Sequence, residues 1–163
     1  MPGTEPIVRS IRVEIDAPAS LVWEVLLDLA RYGEWNSFNP RIESTLRIGD
    51  PVRMEARIAG SERSMAVTEI LVACEPERLL AWEMRPTPEH PDAGRRDQIL
   101  EALGPERCAF HHTDRFLGPN AAKILAEHGE WVKQGFDAMA RDLKRRAEVL
   151  YAARREKRAA ARG

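Results

Sequence analysis

Residues 120–158 read NAAKILAEHGEWVKQGFDAMARDLKRRAEVLYAARREKR, and their reading decides the fold. Ile124, Trp131, Val132, Phe136, Met139, Leu143 and Leu150 fall at three- and four-residue spacing, which lines them along one side of a helix. Nearly everything before this run breaks into short strand-like segments, so the apolar stripe predicts a sheet for it to lie against. A helix over this span would be nearly 60 Å long, roughly, at 1.5 Å per residue. A compact domain of this size has a diameter of about 40 Å. The helix must therefore overhang by about a dozen residues or break. The stripe fades after Leu150, and Ala153-Arg154-Arg155-Glu156-Lys157-Arg158 is polar and made of helix formers. The expected division is a single domain over residues 1–150 and a basic helical C-terminal extension over 151–163, its cations favoured there by the helix dipole.

Upstream, Ile7, Ile11, Val13 and Ile15 alternate with charges and predict a first strand. Asp16-Ala17-Pro18 ends it, and Asp16 or Ser20 is the expected cap of a short helix. Val22, Val25, Leu26 and Leu29 mark that helix over 19–29, followed by a second short turn over 31–35. Strands are expected over 42–48, 52–58, 65–73 and 78–85, with Gly49-Asp50-Pro51, Gly60-Ser61 and Glu75-Pro76 between them. Residues 86–97 hold prolines, a glycine and charges and predict a lid-like loop, in which Arg95 and Arg96 are either solvated or available to an acidic group of a ligand. Strands over 98–103 and 108–117 flank Gly104-Pro105. Spacing this close favours antiparallel neighbours, hence an α+β fold in which a curved sheet closes over one helix.

With 163 residues, a charged fraction of 31% and a net charge of -1, a nucleic-acid partner is not expected. No run approaches the roughly 18 apolar residues of a membrane span. Met1-Pro2-Gly3-Thr4-Glu5 lacks the start of a secretion signal, so the cytoplasm is the expected location and no stable membrane insertion is expected. Cys74 and Cys108 form no CxxC pair and are read as free thiols.

The order of elements resembles the SRPBCC superfamily, the START and polyketide cyclase/dehydrase-like proteins with a helix-grip fold. The resemblance is carried by Val13-Glu14-Ile15-Asp16-Ala17-Pro18 with Val22-Trp23, Tyr32-Gly33-Glu34-Trp35-Asn36, Pro76-Glu77-Arg78-Leu79-Leu80-Ala81-Trp82, His112-Thr113-Asp114-Arg115-Phe116-Leu117-Gly118, and Gly135-Phe136-Asp137-Ala138-Met139. It implies a seven-stranded curved antiparallel sheet wrapped around the long C-terminal helix, with two short helices between strands one and two. It also implies a mainly apolar cavity between the layers. Members range from lipid carriers to aromatase/cyclases, so the fold does not choose an activity. An iron-binding branch needs two histidines and a carboxylate at fixed spacing. His90, His111, His112 and His128 offer no such set, so no metal or cofactor is called for.

Within that fold, Phe110 and Phe116 share a strand face with His112 and Asp114, which places an imidazole and a carboxylate beside the cavity as the candidate catalytic pair. Either they exchange protons with a bound ketone, or they satisfy each other and fix the sheet. Gln98 is a candidate polar contact, although the turn at Gly104-Pro105 leaves open whether Gln98 or Glu101 shares the face of His112. Met54, Trp82, Met84, Leu100, Trp131 and Met139 are candidate apolar lining, and Gly135 either gives a ligand room or lets a strand approach. Tyr32, Trp35 and Phe38 are placed at the entrance. The expected function is binding or transport of a small hydrophobic molecule, such as a lipid, a polyketide or a quinone-like compound. The alternative is an aromatase/cyclase-type enzyme working on a polyketide-like ketone by acid-base catalysis. A protein partner for the basic helix end has no sequence support beyond its charge.

Overall fold

The computed structural model describes residues 5–163. Two short strands, β1 (Ile7–Arg9) and β2 (Val13–Ile15), lead into helix α1 (Ala19–Leu27) and a 3-10 helix (Leu29–Glu34). Then come β3 (Ile42–Ser44), β4 (Pro51–Arg57), β5 (Ser64–Glu75), β6 (Leu79–Met84), β7 (Ala93–Gly104), β8 (Arg107–Leu117) and helix α2 (Ala121–Arg162). The strands form one antiparallel sheet in the order β1-β8-β7-β6-β5-β4-β3, with β2 also paired to β8. This is the helix-grip arrangement, with α2 lying in the concave face.

The expected first strand is split, so the sheet has eight strands where seven were anticipated. Arg9 pairs with Thr113 and Val13 with Phe110, which sets the three residues 10–12 against the two residues 111 and 112 of β8. Such an extra residue bends a strand and increases its twist. Ser10 anchors the bulge, because its Oγ accepts from the His112 amide at 2.9 Å. The freed amide of Ile11 donates to Asp137 of α2 at 2.7 Å. Further register shifts lie between Leu71 and Ala73 in β5 and between Ala102 and Gly104 in β7. Three irregularities in one sheet curl it around the helix.

No side chain caps α1. Pro18 occupies the N-cap position, where Asp16 or Ser20 was expected to act. The Asp16 amide instead donates to Glu148 of α2 at 2.9 Å, which ties the strand end to the long helix. The 86–97 loop is shorter than its prolines and charges suggested, since β7 already begins at Ala93. Arg95 and Arg96 therefore lie in a strand, and alternation sends them to opposite faces. Arg95 pairs outside with Asp97 and Glu83, whereas Arg96 is 4% exposed and points into the fold.

Gly118 has a φ of 89°, and a Cβ there would sit 2.7 Å from the Pro91 carbonyl, so the turn into α2 requires glycine. From it α2 runs unbroken for 42 residues. Its buried face comprises Val132, Phe136, Met139, Ala140, Leu143 and Ala147, and everything from Ala152 onward is exposed. Of the two outcomes allowed by its length, the helix overhangs. No helix among the described residues is long and apolar enough to cross a membrane. Cys74 and Cys108 are unpaired.

Candidate functional site

A cavity of about 170 Å³ opens between α2 and the concave side of the sheet. Its inner wall carries Met54 and Ala56 of β4, Arg96 of β7, Phe136 of α2 and Phe38 from the loop before β3. Its outer part carries Met65 on β5, Met84 on β6, and Ile124 and His128 on the first turns of α2. Met65 and Met84 are 43% and 40% exposed, which identifies this end as the mouth. A buried apolar cavity of about 150 Å³ holds a benzene ring. This one accommodates a ring-sized body, and anything longer must extend through the mouth.

Strand alternation places each polar group. On β8 the inward set is Phe110, His112, Asp114 and Phe116; on β7 it is Gly94, Arg96, Gln98 and Leu100. The register pairs Arg96 with Asp114, Gln98 with His112 and Leu100 with Phe110, so Gln98, and not Glu101, shares the face of His112. On β5 the same alternation turns Met65, Val67 and Glu69 inward. The cavity lining thus carries one guanidinium, Arg96, and three carboxyls, Glu69 and Asp114 inside and Asp92 near the mouth.

Arg96 is held by uncharged groups. Its Nη1 donates to Asn39 Oδ1 at 2.8 Å, and its Nη2 lies 3.0 Å from Met139 Sδ and 3.5 Å from His112 Nδ1. Aromatic rings surround the plane, with Phe136, Trp82 and Phe38 centred 4.7, 5.2 and 5.4 Å from its central carbon. Desolvated cation-π contacts contribute about 2 kcal/mol or more. The guanidinium remains charged, as arginine does in proteins. Glu69 and Asp114 reach it only through space, and neither has a hydrogen-bond or ion-pair partner among the described residues.

Burial raises both carboxyls, Glu69 to about 7 and Asp114 to about 6, with Arg96 partly offsetting the shift. Glu69 is raised further by Asp114, and Asp114 by Asp97. His112 behaves in the opposite sense. Its Nε2 lies 2.7 Å from the Phe136 carbonyl, which can only accept, so the proton sits on Nε2 and Nδ1 is left to face Arg96. Burial and the guanidinium hold its pKa well below 6.5, and the ring stacks on Phe136 at 3.9 Å. His112 thus lies between the Arg96 guanidinium and the α2 backbone, in contact with both.

A pH dependence of stability follows. Between about pH 4 and pH 7 the folded chain keeps protons on Glu69 and Asp114 that the unfolded chain has released, so this stabilisation is present at low pH and lost as pH rises through that window. His112 acts the other way below its unfolded pKa, which makes a variant comparison the readable quantity. Relative to the natural chain, a Glu69→Gln, Asp114→Asn double variant is expected to gain stability between pH 5 and pH 8. Urea unfolding midpoints measured at the two pH values check this, and an unchanged difference would contradict the shifts.

The anticipated residues separate into groups. Met54, Met84, Asp114, Phe116 and Trp131 line the cavity. Trp82, Gln98, His112 and Met139 lie behind or beside Arg96, while Leu100 and Phe110 are buried further along β7 and β8. Trp35 lines a separate groove with Leu21, Val25 and Leu150, and Tyr32 is buried with its hydroxyl donating to the Leu26 carbonyl at 2.7 Å. Of the three residues placed at the entrance, only Phe38 reaches the cavity. Gly135 gives room to that ring rather than to a ligand, since a Cβ there would fall 2.2 Å from Phe38 Cδ2. Gly135→Ala, which in a free helix is favourable by about 1 kcal/mol, is therefore expected to destabilise the chain by about 1–3 kcal/mol through overpacking. Chemical denaturation reads the sign, and a stabilised variant would mean that Phe38 moves aside freely.

Glu69 and Asn39 were not anticipated, and Arg96 was expected in a loop, in solvent or against an acidic ligand group, not buried on a strand. Arg96 shares parity with Gln98 and Leu100, and Glu69 with Met65, Val67 and Leu71, so each was visible as a charge on an apolar strand face. No group of three or more metal-ligating side chains occurs among the described residues.

A family profile described as polyketide cyclase / dehydrase and lipid transport matches residues 7–148. No curated protein matches. Among solved structures, the Zhui aromatase/cyclase from Streptomyces sp. R1128 is similar at a TM-score of 0.62 and 22% identity, over 87% of this chain and 93% of that one. Ara h 8.0201 gives 0.62 and 12% identity, over 86% and 96%. A START superfamily protein from Mycobacterium smegmatis gives 0.56 and 15% identity, over 84% and 98%. At these identities the structural likeness shows the fold alone.

Proposed function

Because the chain belongs to the polyketide cyclase/dehydrase and lipid transport family, we propose that it binds a small, mostly apolar molecule with one polar end in the cavity between α2 and the sheet. The observation that supports this is the cavity's polarity. Its walls are aromatic, aliphatic and methionine side chains, and its few polar groups include Arg96, Glu69 and Asp114. Sites that hold small molecules are typically apolar enclosures with a few placed polar groups. Methionines at the mouth adapt to ligands of different outline. Native mass spectrometry of the freshly purified protein, followed by extraction and identification of the bound compound, tests the reading. A retained lipid, quinone-like or aromatic compound supports it, whereas a protein that takes up no apolar compound would count against it.

A second reading has a specific observation behind it. Asp114 and Glu69 are unpaired, face the cavity and titrate near neutrality, as a general acid or base must. An aromatase/cyclase-type enzyme would use them on an enolisable ketone, with the cavity holding the chain bent. His112, kept neutral and turned toward Phe136, would position and not transfer protons. For this reading, Asp114→Asn is expected to abolish turnover of a polyketide-like ketone while leaving affinity within about tenfold, or 1.4 kcal/mol. Equal loss of both would instead assign Asp114 to binding alone.

A further inference from the structure

The polar end of the cavity also carries information about the chemistry of the ligand's head. Arg96 looks at first like an anion clamp, yet its donors are already engaged. A carboxylate is gripped by two parallel N–H groups along one edge of the guanidinium. Here the Nη1 group is directed at Asn39 Oδ1 (2.8 Å) and Met54 Sδ (4.0 Å), and the Nη2 group at Met139 Sδ (3.0 Å) and His112 Nδ1 (3.5 Å). Its central carbon lies over the rings of Phe136, Trp82 and Phe38. Only Nε–H lacks an acceptor, and one N–H makes no fork.

The acceptors, by contrast, are free. The Glu69 and Asp114 carboxyls line the cavity without a hydrogen-bond partner among the described residues, and Asp92 adds another acidic group near the mouth. Both residues are partly buried, and a ligand that seals the cavity over a carboxyl without donating to it leaves it unsatisfied, at a cost of about 1–3 kcal/mol or more. A hydroxyl supplies a donor to either carboxylate, whereas Arg96 Nε–H is sealed from the cavity and takes no part. An ammonium donates to both carboxylates and balances a cavity in which they outnumber the guanidinium. A carboxylate head supplies nothing to Glu69 or Asp114 and repels them.

Resting on the reading that the cavity holds a ligand, we infer that the ligand's polar end is a hydrogen-bond donor, a hydroxyl or an ammonium, seated against Glu69 and Asp114, and that a carboxylate end is rejected. Isothermal titration calorimetry of the natural chain at pH 8 tests this with four probes of one body: propylbenzene, 3-phenylpropan-1-ol, 3-phenylpropylamine and 3-phenylpropanoate. The alcohol and the amine are expected to bind at least roughly tenfold more tightly than the propanoate. An apolar pocket alone would reject both ions alike, so an amine no better than the propanoate overturns the inference, as does a propanoate that equals the alcohol. Propylbenzene separates the two levels of failure. If it binds while the propanoate leads, the cavity reading stands and the inference falls; if none of the four binds, both fall. In a folded Glu69→Gln, Asp114→Asn double variant the preference should shrink to within about threefold. Its full retention there would also overturn the inference.

Discussion

Replacing Phe136 with alanine is expected to lower the free energy of unfolding by about 3–5 kcal/mol, the usual cost of truncating a buried phenylalanine. For a domain of this length that is a fall in melting temperature of about 6–20 °C. The ring is 1% exposed and joins several interactions at once. It stacks on His112 at 3.9 Å, meets Phe38 edge-on at 5.6 Å and covers the Arg96 guanidinium at 4.7 Å. Its removal opens a void beside a buried charge, which the surrounding helix and sheet cannot close by small movements. Urea denaturation measures the loss. A cost below about 1 kcal/mol would show that the helix is not anchored there.

Filling the cavity is expected to have the largest functional effect. Ala56 lies on the inward face of β4 and is 6% exposed at the cavity wall. In Ala56→Trp the indole is at least as bulky as the benzene that fills a cavity of about 150 Å³, so little room remains. Affinity for propylbenzene is expected to fall about a hundredfold or more, equivalent to roughly 2.7 kcal/mol. Calorimetry measures the affinity, and circular dichroism establishes that the variant is folded, since overpacking costs about 1–3 kcal/mol. A folded variant that binds within threefold of the natural chain would place the ligand elsewhere.

Most of the architecture was legible from local patterning. The stripe from Ile124 to Leu150 marks α2 because a helix of that length can hide its apolar side only against a larger surface. Alternation located the strands from 42 to 117 within a few residues, the largest error being at the start of β7. There Pro86, Pro88, Pro91 and Gly94 outweighed the two-residue period of Arg96, Gln98 and Leu100, and cross-strand pairing with β6 and β8 overrode the local composition. The same misplacement put Arg96, which is buried in the structure, in a loop. The split of β1 from β2 was also beyond local reading, since its cause is the distant pair of His112 and Asp137 taking up Ser10 and Ile11.

The cavity was less legible than the fold for a related reason. Parity puts a residue on the inner face but does not say whether the helix lies on top of it. Met54, Met84 and Phe116 stand at positions α2 leaves uncovered, whereas Leu100, Phe110 and His112 share their parity and are covered. Gly135 illustrates the same gap, because only the position of the Phe38 ring explains why no larger residue stands there.

Methionine methyl NMR tests the central claim most directly, since Met54, Met65 and Met84 line the cavity from its inner wall to its mouth and Met139 lies behind it against Arg96. The natural chain, labelled with ¹³C at the methionine methyl groups, would be titrated with propylbenzene. Ring-current shifts at Met54, Met65 and Met84 that saturate together are the predicted result, with their loss in Ala56→Trp. Saturable binding that leaves all three methyl signals unmoved would contradict the account, because the ligand would then lie outside the cavity between α2 and the sheet.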